Sequence, residues 1–301
     1  MDNDDRLIEY EGKKFYYRIV EGPEDTGLCP AVFVSGAFQN MDSWKRFERE
    51  FIKRTTVILV DLPGTGRSDI LPRDFGVEFL AGALEVLFHD AGLERAEILS
   101  TSYGTPIAHT FTKRNPSMVS HLILGGIMKR IPEYLWDRTR HTLDTLRKGN
   151  MHDFAMEVLE GLTFREDPSL IHKFKLVEKV LYTSLVNMDH EAREKYIENT
   201  LRLLHHEPLD TSDFPDVSTL VFTGEFDVYT SSEYCREIAA SMPNSVFTTI
   251  KNSDHLFSLE RFDVMMDMFM DFLSERPGYN VEGCNEYVRF CRSGLVDAAN
   301  G

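Results

Sequence analysis

The chain has 301 residues, 42% apolar and 27% charged, which is enough to bury a full core without disulfide staples and rules out disordered and collagen-like classes. Thirty-three Lys and Arg against forty-nine Asp and Glu leave a formal net charge of −16, a field that repels phosphate backbones and anionic membranes and argues against nucleic-acid binding. No apolar run is long enough for a transmembrane helix, and the acidic start Met1-Asp-Asn-Asp-Asp5 lacks the apolar core of a secretory signal, so a cytoplasmic protein is expected.

Short β-branched and aromatic runs alternate with helical patterns along the chain. Lys14–Val20 and Ala31–Val34 read as strands, and Ser43–Ile52 as a helix with Trp44, Phe47 and Phe51 at helical spacing. The strand Val57–Asp61 runs into Asp61-Leu-Pro-Gly-Thr-Gly-Arg-Ser-Asp69. Gly64 and Gly66 there invite a dinucleotide reading, but Asp69 occupies the third glycine position, so a structural loop near the site mouth is expected. The helix Phe79–Ala91 follows, with Leu80, Ala83, Leu84 and Leu87 on one face, then the strand Glu97–Leu99, the helix Pro106–Arg114 and the strand Leu122–Leu124.

The alternation stops there. Between Lys129 and Ser212 only helical patterns occur, over Glu133–Arg147, His152–Gly161, Ser169–Leu185 and Glu191–His205, and Leu209-Asp-Thr-Ser-Asp-Phe-Pro215 reads as a linker. The strands Leu220–Thr223 and Val246–Ile250 then resume, with helices over Ser232–Met242 and Leu259–Glu275 and a weakly patterned appendage after Pro277. Strand–helix alternation predicts an α/β fold, a mostly parallel sheet flanked by helices. Residues 1–128 and 213–301 would form its core, and residues 129–212 an inserted helical cap over a site.

Lys129, Arg130, Arg138, Arg140, Arg147 and Lys148 outnumber the acids around them and read as a solvated helix face or a docking patch for an acidic partner. Cys29, Cys235, Cys284 and Cys291 form no Cys-x-x-Cys pair, so reduced thiols are expected; the spacing of Cys284 and Cys291 would let them share a helix face, but isolated core or surface thiols are the favoured reading. His205-His206 with Asp210 is the nearest approach to a metal cluster and reads as a solvated helix end; no metal or cofactor is expected.

Chemistry concentrates at three strand ends. Ser100-Thr-Ser102-Tyr-Gly104 joins a strand to a helix and nearly matches Gly-x-Ser-x-Gly, the sharp turn that lifts a serine hydroxyl above a sheet; the plainer alternative is that Ser102 or Thr101 caps the helix. Asp227 follows the strand Leu220–Thr223, and His255 follows the last strand. The order Ser, Asp, His at successive strand ends predicts a triad: Ser102 as nucleophile, His255 as base, Asp227 as the carboxylate orienting the imidazole. Glu225 and Asp254 compete for the carboxylate role. Tyr103 N–H, directly after the nucleophile, and Ala37 N–H, in the turn Val34-Ser-Gly-Ala-Phe-Gln39, are the candidate oxyanion-hole donors.

These motifs resemble the α/β-hydrolase superfamily over most of residues 13–275. Within it they look most similar to the acyltransferases of rhamnolipid biosynthesis, the 3-(3-hydroxyalkanoyloxy)alkanoate synthases. The likeness rests on Ser35-Gly36-Ala37-Phe38, Asp61-Leu62-Pro63, the serine that opens Ser100-Thr101-Ser102, the run from Gly224 to Thr230 and Ser258-Leu-Glu260. The chain departs from that pattern at Tyr103-Gly104-Thr105 and at Asp254. The resemblance implies an acyl-enzyme on Ser102 that takes a 3-hydroxyacyl group from acyl carrier protein or coenzyme A and passes it to a second hydroxyl. Hydrolysis by the same triad, as a carboxylesterase, thioesterase, lactonase or carbon–carbon hydrolase, is the alternative; an inert binding protein on this fold is a third reading. Leu143, Leu146, Phe154, Met156, Leu159, Leu162, Phe174, Val177 and Leu181 would line an apolar pocket or pack the cap helices together.

Overall fold

The computed structural model describes residues 5–24, 26–274, 280–291 and 294–296. Its strands are β1 (Arg6–Tyr10), β2 (Lys13–Val20), β3 (Ala31–Val34), β4 (Val57–Asp61), β5 (Ala96–Thr101), β6 (Val119–Gly125), β7 (Ser218–Gly224), β8 (Asn244–Ile250), β9 (Val288–Cys291) and β10 (Gly294–Val296). They form one sheet in the order β1-β2-β4-β3-β5-β6-β7-β8-β9-β10. Neighbours from β4 to β8 run parallel, and the strands added at both edges run antiparallel. This is the α/β-hydrolase fold that the strand–helix alternation and the motifs led us to expect.

Both faces of the sheet are covered, which is why its central strands are apolar throughout instead of alternating. Val32, Val34, Ile58 and Val60 face one side and pack on α2 (Val77–Asp90), α3 (Gly104–Arg114) and α8 (Ser232–Ala240). Ala31, Phe33, Val57 and Leu59 face the other and meet α1 (Lys45–Phe51) and α10 (Phe262–Leu273). Phe33 is fully buried there against Trp44, Phe47 and Phe51, a burial worth roughly 2–3 kcal/mol.

Between β6 and β7 lie α4 (Trp136–Arg147), α5 (Met151–Leu162), α6 (Phe174–Val186) and α7 (His190–His205). They enclose a third apolar cluster, with Leu146, Phe154, Leu159, Leu185, Ile197 and Leu204 at its centre. Among the described residues no helix is long and apolar enough to cross a membrane.

The differences from the sequence reading have local causes. β1 escaped notice because its face is mostly exposed, and it is held by a hairpin in which Glu11 and Gly12 both take positive φ, 45° and 78°. The expected helix 259–275 is interrupted at Arg261, giving a short α9 (Phe257–Glu260) before α10; Glu275 lies outside the described residues. The helix expected from Ser169 starts only at Phe174, because Lys173 turns left-handed at φ 57°. The appendage is docked: β9 pairs with β8, and Phe290 enters the core. Cys284 and Cys291 share no helix, since the Cys284 backbone forms an isolated antiparallel β-bridge with Ile250 and Cys291 ends β9; Cys29, Cys235 and Cys284 are free thiols.

Candidate active site

The turn after β5 is built around close contact. Ser102 holds φ 48°, a left-handed conformation that costs a non-glycine residue about 1–2 kcal/mol. Ser102 N–H donates to Gly125 O at 2.7 Å, while Ser102 O accepts from Thr105 N–H at 2.9 Å and from the Thr105 hydroxyl at 2.7 Å. Gly104 is required two residues on, because a Cβ there would stand 2.7 Å from Val34 O. Ser100 fills the place of the usual first glycine and donates to Ile123 O at 3.2 Å. No side chain caps α3, whose N-cap is Tyr103, so the capping alternative for Ser102 and Thr101 does not hold.

The loops after β7 and β8 bring two of the expected side chains to this turn. Ser102 Oγ lies 3.1 Å from His255 Nε2, and His255 Nδ1 lies 2.8 Å from Asp227 Oδ2. Asp227 Oδ2 also accepts from the hydroxyls of Thr223 at 2.6 Å and Thr230 at 2.7 Å, and Oδ1 accepts from the N–H groups of Tyr229 and Thr230, both at 2.8 Å. Burial pushes this carboxyl up, but the His255 charge and the hydrogen bonds from His255, Thr223 and Thr230 bring it down to about 2. With Asp227 ionised, Nδ1 carries the proton and Nε2 is left to accept from Ser102. Burial alone would lower His255; the charge and hydrogen bond of Asp227, helped by Asp254, outweigh it and hold the imidazole above its ordinary value.

Glu225 and Asp254, the rivals for the carboxylate role, are engaged elsewhere. Glu225 accepts from Asn252 N–H at 3.0 Å. Asp254 is fully buried, and its two oxygens accept from Leu256 N–H at 2.9 Å and Phe164 N–H at 3.0 Å, which ties the α5–α6 connection to the histidine loop. Its own N–H donates to Glu260 at 3.0 Å. Burial and the neighbouring Asp254 charge push the Glu260 carboxyl well above its ordinary value, which favours its neutral form.

Ala37 and Tyr103 both border the cavity above Ser102, and among the described residues neither backbone N–H has an acceptor. The turn that carries Ala37 is braced by Gln39, whose side-chain oxygen accepts from Gly36 N–H at 2.8 Å and from the Thr101 hydroxyl at 3.0 Å. The cavity encloses about 660 Å³, and Phe38, Leu135, Val158, Leu181, Tyr196 and Leu256 contribute to its wall. Of the nine apolar residues expected there, Leu162 and Leu181 line it; Leu143, Leu146, Phe154 and Leu159 pack the helical cluster instead. Arg46, Arg138 and Arg165 on the wall are matched in number by Glu157, Glu160 and Glu166. A recess of about 50 Å³ on Ser102 touches Lys129, Arg130 and His206.

Five of the six cations of the basic stretch have an acidic neighbour at the surface: Lys129 pairs with Glu237, Arg130 with Glu133, Arg138 with Glu160, Arg140 with Asp137 and Arg147 with Asp144. The loop 61–69 lies under α7, with Gly64 O accepting from Asn199 and Gly66 O from Lys195. Among the described residues no group of three or more His, Cys, Asp or Glu side chains is placed to hold a metal ion. Sequence reasoning missed Thr223, Gln39 and the buried Asn199–Arg202 pair as neighbours of the site. Thr230 carried a signal, because it follows Asp227 closely enough to cap it.

A family model described as the alpha/beta hydrolase fold matches residues 30–262. The 2-hydroxy-6-oxononadienedioate/2-hydroxy-6-oxononatrienedioate hydrolase 2 of Pseudomonas putida is 26% identical over 270 residues, 82% of this chain and 88% of that protein. Among solved structures, an alpha/beta hydrolase enzyme from a Medee basin deep-sea metagenome library aligns with a TM-score of 0.77 at 18% identity, covering 92% of this chain and all of that one (100%). The enol-lactonase from Burkholderia xenovorans aligns at 0.76 and 20% identity, over 90% of this chain and 100% of its own. These relatives are named as hydrolases and lactonases, which corrects the narrower resemblance to rhamnolipid acyltransferases.

Proposed function

The chain belongs to the α/β-hydrolase fold family, and on that premise we propose that it is a serine hydrolase whose nucleophile, base and orienting carboxylate are Ser102, His255 and Asp227. The observation that carries this reading is the unbroken chain of contacts from Ser102 Oγ to His255 Nε2 and from His255 Nδ1 to Asp227 Oδ2, at 3.1 and 2.8 Å. As Ser102 Oγ attacks a substrate carbonyl, its proton passes to Nε2 and the carbonyl π electrons move onto oxygen. Ala37 N–H and Tyr103 N–H are proposed to receive that oxyanion. The intermediate collapses as the imidazolium returns the proton to the leaving group. Water, deprotonated by His255, then attacks the acyl-enzyme and frees the acid and Ser102.

The substrate proposed is a small ester, thioester or lactone with an uncharged acyl part of medium length. A cavity of about 660 Å³ suits such a group, and its three arginines are offset by three glutamates. The recess beside Ser102 adds little free positive charge, since Lys129 and Arg130 are paired. A neutral acyl group therefore fits this wall better than the diacid in the Pseudomonas relative's name. Residues 129–212 are proposed to act as a cap that selects the acyl group, because α4–α6 supply much of the cavity wall.

Water as acceptor is favoured over the hydroxyl of a second 3-hydroxyacyl unit because the curated relatives are named hydrolases. Purified protein given p-nitrophenyl butyrate and 3-hydroxyacyl thioesters, with products read by mass spectrometry, tests the choice. Free acid as sole product is expected; a dimeric acyl product would return the assignment to acyl transfer from a carrier protein or coenzyme A. A fluorophosphonate probe should label the wild type and spare Ser102→Ala.

A further inference from the structure

Helix α7 buries charge where a helix normally buries apolar surface. Lys195, Asn199 and Arg202 lie on one face at 4%, 1% and 1% exposure. The guanidinium of Arg202 has five N–H donors, and each has an oxygen. Nε donates to Phe75 O at 2.6 Å; Nη2 donates to Leu71 O at 2.7 Å and Pro72 O at 2.9 Å; Nη1 donates to the Tyr103 hydroxyl and to Asn199 Oδ1, both at 2.6 Å. The Tyr103 hydroxyl donates in turn to Asn199 Oδ1 at 3.1 Å. No carboxylate takes part in this set of bonds. A buried cation held only by neutral oxygens is costly, and three backbone carbonyls would have sufficed to brace the loop after β4. The remaining two donors are spent on the phenol of Tyr103 and on the amide that this phenol touches.

Tyr103 is the residue directly after Ser102, and its ring is 3% exposed. Its backbone N–H is one of the two oxyanion donors in the hydrolase reading, on which this inference rests. The N–H sits on an unusual backbone turn, so its direction depends on what holds the side chain. We infer that Arg202 and Asn199 are positioning residues for the oxyanion hole: they clamp the Tyr103 phenol from α7 and so aim Tyr103 N–H at the developing oxyanion. The contact also makes the helical layer over the site part of the turn that carries the nucleophile.

The test compares Tyr103→Phe, Arg202→Met and their double variant with Glu198→Gln, using p-nitrophenyl butyrate turnover and the affinity of an alkyl boronic acid, which mimics the tetrahedral intermediate. Glu198 joins the same helix to the same loop through Arg73 at 2.8 Å but does not touch Tyr103. Tyr103→Phe and Arg202→Met should each lower kcat by about ten- to a hundredfold with little change in KM, because the interaction is stronger in the transition state. Boronate affinity should fall by a similar factor. The double variant should lie within about threefold of the worse single one, as expected for residues acting as a unit. Glu198→Gln should keep wild-type kcat.

Tyr103→Phe with wild-type kcat and boronate affinity would overturn the inference, even if Arg202→Met failed to fold. An equal loss in Glu198→Gln would overturn it too, by reducing Arg202 to a brace for the loop. A wild-type protein that neither turns over the ester nor takes the fluorophosphonate would instead bring down the hydrolase reading, and the inference with it.

Discussion

Thr230 holds Asp227 by both oxygens: its backbone N–H donates to Oδ1 at 2.8 Å, and its hydroxyl donates to Oδ2 at 2.7 Å. The same hydroxyl oxygen lies 3.1 Å from His255 Nδ1, so it touches the bond between carboxylate and imidazole from the side. Thr230→Val keeps the shape and the backbone bond and removes only the hydroxyl. A hydrogen bond to a charged group contributes about 1.5–3 kcal/mol, so kcat/KM should fall roughly ten- to 150-fold. Steady-state kinetics on p-nitrophenyl butyrate would show it, and a wild-type rate would mean that the other four donors to Asp227 suffice.

The pH profile follows from the direction of the two shifts. The proposed mechanism needs neutral His255 as base, and the imidazole is held above its ordinary value of 6.5. The acid limb of kcat/KM should therefore have its midpoint above 6.5. The stability of the pair runs by the same linkage. The His255 contribution is fully present below 6.5 and is lost as pH rises through the folded value. The Asp227 contribution is present above 3.8 and is lost as pH falls towards about 2. An acid limb below 6 would show that burial, not Asp227, governs the imidazole.

Ser102 is held in a conformation that only glycine adopts freely, which predicts an inverted stability order at this position. Ser102→Ala and Ser102→Gly should both lose several orders of magnitude in rate, since neither carries the proposed nucleophilic hydroxyl. Glycine ordinarily destabilises a folded segment relative to alanine, by about 0.5–1 kcal/mol. At φ 48° the strain of a Cβ reverses this, and Ser102→Gly should be the more stable of the two by about 1 kcal/mol. Urea denaturation of both variants measures the difference, and a more stable alanine variant would contradict the strained turn.

Much of this arrangement was legible because the chemistry sits where strands end. The central strands are short apolar runs buried on both faces, and three of them stop at turns that carry the proposed catalytic side chains: Ser102 after β5, Asp227 after β7, His255 after β8. Chain order and strand ends therefore pointed to the three side chains without any knowledge of distance. The edges were harder, since β1 exposes most of its residues and β9 offers too short a pattern to stand out. The wall of the cavity was harder still. Periodicity fails there because an apolar helical residue has the same spacing whether it faces a neighbouring helix, as Phe154 does, or a cavity, as Leu181 does. Arg202 was illegible for the opposite reason: a lone arginine on a charged helix reads as solvated until the loop after β4 is seen to enclose it.

The buried pair behind the histidine loop gives a further measurable consequence. Glu260 is 2% exposed, accepts from Asp254 N–H at 3.0 Å, and is pushed well above its ordinary value by burial and by the Asp254 charge. A carboxyl whose folded value lies above its ordinary 4.5 keeps a proton that the unfolded chain has released. Between those two values the folded state binds more protons than the unfolded one, so stability falls as pH rises through the window. Glu260→Gln holds a neutral side chain of the same shape at every pH, and its oxygen can still accept from Asp254 N–H. The variant should therefore gain on the wild type as pH rises: its Tm relative to wild type should be higher at pH 8.5 than at pH 5.5. Thermal unfolding followed by circular dichroism at the two pH values reads this directly. A Tm difference that stays constant between them would mean that Glu260 is already ionised beside Asp254 at pH 5.5.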